Sequence, residues 1–287
     1  VNASIDLEYD ILTPPTEAER YKAWQADRRD KCLTGTEVPA ILGLSPFLKP
    51  IDVWLDKKGL RTFTPNAAML AGKRFEHAIL EETASRAGRP LTFADPYNLI
   101  RVPEFPLLGA TLDARWQDTG CPVDAKNIRY RDEDWGEDGT GDFPLYYRLQ
   151  LHIQMMATGT QSADLAVCFT GQDFYHYTIG RDREIDTLVM EESERWWKKH
   201  IDGDTPPLPD GSESYTSYLK SRFARSTDVL IEPDDNARRI AENLRETKVR
   251  IAAMEEIRET FEQQLKAIIG DAACIKGVAS WKNNRPS

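Results

Sequence analysis

The order of periodicities between residues 91 and 180 constrains this chain more than any other feature. Proline-broken apolar runs, "LTFADPYNLIRVPEFPLLGATLDARW" (91–116), lead into "GCPVDAKNI" (120–128). Then comes one stretch of helical texture, "PLYYRLQLHIQMMAT" (144–158), and two further strand-like runs, "SADLAVCF" (162–169) and "DFYHYTIG" (173–180). Glycine and proline punctuation around short apolar runs predicts successive strands, with a hairpin as the first pair and another pair at 162–180. The result is a central mixed sheet of about five strands, interrupted by a helix. The turn-rich segment between, "DEDWGEDGTGDFP", reads as mobile.

Helices flank this core. "TEAERYKAWQADRRD" (16–30) places Trp24 and Arg28 four apart on one helical face. Thr34 and Glu37 have capping-box spacing and Gly43 suits a stop, predicting a short helix over 36–42. Others are predicted over 51–59, 66–87 and 182–203. The class is therefore α/β (α+β), with helices on both sides of the sheet. Residues 1–15 read as a loosely held arm, and the proline-rich link "DTPPLPDGSESY" separates the body from a C-terminal extension. In that extension 234–268 lacks glycine and proline, predicting one long exposed helix or a helical pair. The ending "GVASWKNNRPS" reads as a strand start followed by a tail. These features divide the chain into a core domain over 1–208 and a linker plus helical extension over 209–287.

Charge narrows the partners. With 47 acidic and 37 basic residues the formal net charge is -10, which gives no general attraction to nucleic acid or to an anionic membrane. Contact with DNA then requires a local basic channel or cations held by carboxylates. Four dispersed cysteines form no CxxC pair, and no early apolar block or long apolar run appears. The expectation is a reduced cytoplasmic protein that does not engage a membrane.

Within the sheet, Asp124 and Lys126 are separated by one residue and so project to the same side of a strand. Distant elements could deliver Asp113, in "LLGATLDARW", and Glu76, in the 66–87 helix, to the same place. Such a set suits phosphodiester hydrolysis. Carboxylates hold a divalent cation that activates water and shields growing charge, and a lysine contacts the nucleophile or a nonbridging oxygen. Hard oxygen donors favour Mg²⁺, with Mn²⁺ able to substitute. Each residue also has a plainer reading: the Asp-x-Lys pair as a solvated sheet face, Asp113 as a turn residue, Glu76 as a helix-surface partner of Lys73.

Six ordered segments resemble the PD-(D/E)XK nuclease superfamily, and within it the YqaJ-like viral recombinases related to the exonuclease of phage lambda. They are "WQADRRDKCLTGTEVPAILGLSPF" (24–47), "AGKRFEHAI" (71–79), "LGATLDA" (108–114), "PVDAKN" (122–127), "YYRLQLHIQMMATG" (146–159) and "DFYHYTIGRD" (173–182). The resemblance implies a restriction-endonuclease-like core with Asp113 as central metal ligand and Asp124 as the second, in a position often filled by glutamate. It further implies Glu76 as the helix carboxylate, the Val123 carbonyl completing the metal shell, Lys126 as the catalytic lysine and Gln150 as a site glutamine. Here the motif proline is displaced to 122.

Arg28, with Arg29 as the adjacent alternative, and Thr36 would by the same resemblance hold a terminal phosphate; the helical spacing of Tyr147, Gln150 and Gln154 offers a further face for DNA contacts, or else an ordinary polar helix face. The implied activity is a Mg²⁺-dependent 5′ to 3′ exonuclease on linear duplex ends, leaving 3′ overhangs for phage-type recombination. Its implied partners are copies of itself in a ring, a trimer, and a single-strand annealing protein. Two alternatives stay open on the sequence: a structure-specific endonuclease with the same fold, and an inactive DNA-end-binding scaffold. No Walker A sequence occurs, so ATP-driven translocation finds no support.

Overall fold

Alternation along a single strand sets the layers of the molecule. In the computed structural model, which describes residues 15–61, 66–225 and 227–281, strand β7 (Ser162–Phe169) is buried along almost its whole length. Leu165, Val167 and Phe169 join one apolar cluster, while Ala166 and Cys168 join another. A strand covered on both faces reads as a continuous apolar run, as residues 165–169 do after Asp164.

β7 lies inside a five-stranded mixed sheet of order β2-β5-β6-β7-β8. The other strands are β2 (Leu91–Phe93), β5 (Ala114–Trp116), β6 (Pro122–Ile128) and β8 (Asp173–Gly180). Only β6 and β7 are parallel, in a register that sets Asp124 beside Leu165 and Lys126 beside Val167. A parallel pair needs a crossover, and helix α5 (Leu145–Thr158) supplies it. This helix ends at Gly159, whose φ of 74° is left-handed and disfavours any side chain. Leu151 and Met155 of α5 pack on the Leu165 face of the sheet. Ile79 and Leu80 of α4 (Ala67–Ala87) pack with Trp116, Val123 and Ala166 on the other. The sheet thus sits between α4 and α5, in agreement with the expected mixed sheet flanked by helices.

Beside this core, β1 (Leu33–Thr34), β4 (Leu108–Ala110) and β3 (Ile100–Arg101) form a second sheet. The 91–116 region therefore splits between two sheets. Its first strand, β2, pairs antiparallel with β5, and the hairpin is the β3–β4 pair. Strands of two or three residues carry no period long enough to show this. The turn-rich segment is anchored, not loose: Trp135 and Phe143 are buried against Tyr147 and Tyr177.

The N-terminal helices are α1 (Glu17–Lys31), α2 (Glu37–Ile41) and α3 (Pro50–Lys57). Arg28 lies 5.3 Å over the Trp24 ring, as their i,i+4 spacing predicts. Glu37 does not close a box with a Thr34 hydroxyl; its carboxylate accepts the Thr34 N–H (2.8 Å) and meets Lys57 Nζ at 2.8 Å, both side chains buried. Burial alone would raise the Glu37 carboxyl, but the Lys57 and Arg28 charges with their hydrogen bonds outweigh it and hold it below the usual carboxylate range. A depressed carboxyl contributes stability above its unfolded pKa of about 4.3, and this is lost as pH falls through the folded value. Glu37→Gln leaves Lys57 buried and unpaired, an expected cost of about 3 kcal/mol at pH 7. The gap in melting temperature between variant and wild type should shrink when both are scanned near pH 3.

α6 (Arg183–Trp197) continues into a π-helical turn, Lys198–Asp202, where the His200 carbonyl accepts the Trp54 indole N–H. Beyond the proline-rich link, α7 (Glu213–Arg222) sets Tyr218 against Trp54, ring centroids 5.7 Å apart. The chain divides into two units, Val1–Ala224 and Arg225–Ser287, so the proline-rich link and α7 lie within the first. The second unit holds one unbroken helix, α8 (Asp235–Ile269), and a small hairpin of β9 (Cys274–Ile275) and β10 (Ala279–Ser280). The arm expected at 1–15 lies outside the described residues except for Pro15, as does the tail after Trp281. No described helix is long and apolar enough to cross a membrane.

Candidate active site

Asp124 and Lys126 leave β6 on the same face, and Lys126 Nζ contacts Asp124 Oδ2 directly. The other oxygen, Oδ1, accepts two amide hydrogen bonds, from Gln150 Nε2 (2.7 Å) and Gln154 Nε2 (2.8 Å). Four-residue spacing on α5 stacks those glutamines one turn apart over the strand. Asp124 is only 2 % exposed, so these three partners make its burial tolerable. Lys126 Nζ also lies 5.4 Å over the Tyr147 ring.

Asp113 stands just before β5, and its Oδ2 accepts the backbone N–H of Ala125 at 2.8 Å, which ties it to the middle of the Asp-x-Lys motif. Burial, followed by the Asp124 charge, holds the Asp113 carboxyl well above the usual range. Glu76 on α4 is raised as well, by burial first and then by Asp124. Burial would lower the Lys126 ammonium, but Asp124 and Asp113 outweigh it and raise its pKa. Four groups from α4, the β5 entry and β6 thus feel each other's charge. Three acids with one base leave an excess of negative charge in a confined space.

That donor set suits a hard divalent cation: carboxylate oxygens from two buried or half-buried aspartates and a glutamate, beside the buried Gln154 Oε1, which has no hydrogen-bond partner among the described residues. The geometry is not a closed cage. Among the described residues no three His, Cys, Asp or Glu side chains form a ready metal cluster, and the cation in contact with Asp124 is the Lys126 ammonium. Val123 is fully buried, in register with Ala114 and Asp164.

Of the residues expected to meet DNA, Tyr147 is 7 % and Gln154 1 % exposed. Arg28 is half-buried, bonded to Asp56 (2.6 Å) with Glu37 Oε1 at 3.5 Å. Thr36 is exposed at the start of α2, its hydroxyl 3.3 Å from that of Thr34. Gly35, between them, was not singled out by sequence. A Cβ there would stand 2.9 Å from Gln150 Cγ and 3.3 Å from the Gln150 carbonyl. No periodic signal marks such a contact; a glycine between two threonines reads only as a turn. His152 and His176 pair with Asp186 and Asp164 away from this cluster, and Trp196 is buried as packing.

The fold and this cluster can be set beside known proteins. Residues 23–161 match the YqaJ-like viral recombinase domain. The match covers just under half of the chain. Five of the six segments that carried the resemblance fall within the match, and 173–182 follows it. The uncharacterized protein YqaJ of Bacillus subtilis (strain 168) is 25 % identical, over 94 % of this chain and 88 % of its own length. Among solved structures, the alkaline exonuclease LHK-Exo of Laribacter hongkongensis superposes with a TM-score of 0.49 at 19 % identity, covering 71 % of this chain and 98 % of that one. A phage-related exonuclease of Haemophilus somnus 129PT gives 0.44 at 12 % identity, covering 61 % and 97 %. The recombinase match spans β1 to α5, and so contains Glu76, Asp113, Asp124, Lys126, Gln150 and Gln154.

Proposed function

We propose that this YqaJ-like protein is a Mg²⁺-dependent exonuclease on linear double-stranded DNA, removing nucleotides 5′ to 3′ and leaving 3′ single strands for phage-type recombination. The observation that carries the reading is the convergence of Asp124, Lys126 and Asp113 where β6 meets the entry to β5, with Glu76 of α4 close enough to feel the Asp124 charge and acid in excess. Asp113, Asp124 and Glu76, with the Val123 carbonyl, would hold the metal, which when bound supplies charge neutralisation and Lewis acidity at the scissile phosphate.

The chain's own groups do the rest. Gln150 and Gln154 fix the Asp124 carboxylate by two donors to one oxygen, leaving Oδ2 to Lys126. Lys126 is the one mobile cation in the cluster, and on release from Asp124 its ammonium reaches a nonbridging phosphate oxygen or the attacking water. The Tyr147 ring lies beneath its ammonium, which limits where it swings. Arg28 would grip the terminal phosphate only by leaving Asp56, so its role depends on rearrangement around α1. In this reading residues 1–208 form the nuclease domain, 209–287 its extension, and copies assemble as a ring, a trimer, around duplex in the bacterial cytoplasm, handing product to an annealing protein.

End-labelled linear duplex with 5′-phosphate or 5′-hydroxyl, and closed circular duplex, would be incubated with and without Mg²⁺. Metal-dependent release from linear ends, faster with the 5′-phosphate and absent on circles, is expected. Cutting of circles would make the protein an endonuclease, and duplex binding without cleavage a scaffold.

Gly35 supplies an independent check. Gly35→Ala pushes on Gln150, hence on Asp124, and should lower the turnover rate by about tenfold or more. The affinity for duplex, read by gel shift in EDTA, should stay within about threefold. Equal activity would show that the Gln150 bond to Asp124 is dispensable.

A further inference from the structure

Helix α8 is 35 residues long, and most of its large apolar side chains recur with three-four spacing. Taking Ala237 as position a of a heptad, the a positions are Ala237, Leu244, Ile251, Arg258 and Leu265, and the d positions are Ile240, Thr247, Met254, Phe261 and Ile268. Such a stripe is the seam of a two-helix coiled coil. Ile240, Leu244, Ile251, Met254, Phe261 and Ile268 are between 53 % and 72 % exposed, so nothing within the second unit covers the seam. It extends for about 48 Å, far beyond the scattered apolar residues of an ordinary surface.

We infer that the α8 seam is an interface with a second copy of this chain, one in a separate ring where copies form a trimer, since a two-fold pair cannot close among three, and that the two helices run antiparallel with Ile251 of one beside Met254 of the other. The two polar residues of the seam select both partner and direction. In this register every a position faces a d position, since facing residue numbers sum to 505: Leu244 meets Phe261, Ile240 meets Leu265, and Thr247 meets Arg258. The only two polar seam residues are thereby opposite one another. A parallel pair would instead set Arg258 against Arg258 inside the seam, a like-charge contact with little room to escape.

The flanking e positions agree. Lys248 lies in the N-terminal half of the helix, Glu255 and Glu262 in the C-terminal half. An antiparallel copy brings Lys248 against Glu255 twice, by the two-fold symmetry of the pair. In a parallel pair Lys248 would face Asn243 and gain nothing, while Glu255 would face Arg250, so these charges suit either direction and Arg258 decides between them. The charges are half-and-half along one helix, the pattern that its own reversed copy complements.

The test is sedimentation equilibrium of the full chain, with circular dichroism confirming that helix content is kept. Lys248→Glu and Glu255→Lys are exposed changes that spare the seam. Each alone should weaken self-association by about fivefold, and the two together in one chain should restore it to within about twofold. Ile251→Glu should abolish the α8-dependent step. Weakening by Glu255→Lys without rescue by Lys248→Glu would mean a parallel pair, through Arg250, and overturns the antiparallel register. Self-association indifferent to Ile251→Glu, accompanied by a lower melting temperature of the first unit, would mean that the seam packs on its own chain and overturns the proposal. Indifference in both measurements would overturn it equally.

Discussion

Lys126→Ala is expected to reduce nucleotide release from linear duplex in Mg²⁺ by at least about 10³-fold, the scale on which removing one charge-stabilising donor from a confined site acts. The reasoning starts from Asp124. Its Oδ1 is held by two neutral amides and its Oδ2 by Lys126 alone. Lysine is a compact charge on a flexible stem, able to leave the carboxylate for a phosphate oxygen while staying within the cluster. Alanine removes the charge and the reach together. Lys126→Arg separates them, because the guanidinium keeps a charged partner for Asp124 in a planar fork that the packed face beside Tyr147 must shift to admit. Thermal stability near wild type with a rate still lowered by about 10²-fold is expected for arginine. Retained cleavage in Lys126→Ala would reduce Lys126 to an ion-pair partner.

How far the sequence reveals this site depends on the period of each element. Asp124 and Lys126 share a face because strand period is two, and Gln150 and Gln154 share one because helix period is near four. Both pairs are legible. That both glutamines land on a single oxygen of Asp124 is not, since this depends on how α5 lies across β6 and β7. The two-sided burial of β7 shows in the apolar run over 165–169, whereas β1, β3 and β4 are too short to display any pattern. Arg28 spacing to Trp24 is readable, but its engagement by Asp56 joins residues 28 apart on different helices. Trp135 and Phe143 carry a similar lesson: a turn-rich composition reads as mobile until its two large apolar side chains find a core. The seam of α8 lies wholly in the sequence, but charge alternation draws the eye to the solvated face; only its exposure shows that the seam needs a partner.

Asp113→Asn should act in opposite directions on stability and on activity. Asp113 sits among Asp124 and Glu76 with one backbone donor, Ala125 N–H, and burial already disfavours its charge. Asparagine has the same shape and keeps an oxygen for that N–H, while the charge is gone. In EDTA the melting temperature should therefore rise by about 2–4 °C, the shift expected for about 1 kcal/mol in a unit of this size. In Mg²⁺ the cleavage rate should fall by at least about 10³-fold, because an amide oxygen is a weaker ligand for a hard cation than a carboxylate. The rise in melting temperature that Mg²⁺ gives the wild type by binding the folded state should also shrink. Glu76→Gln, at a half-buried helix position, should show the same signs with smaller stabilisation. Strain relieved by removing a functional charge is the signature of a site arranged for a ligand, and not for the fold. If Asp113→Asn instead lowers stability and leaves cleavage intact, the carboxylate serves the turn into β5 and the metal must be held elsewhere.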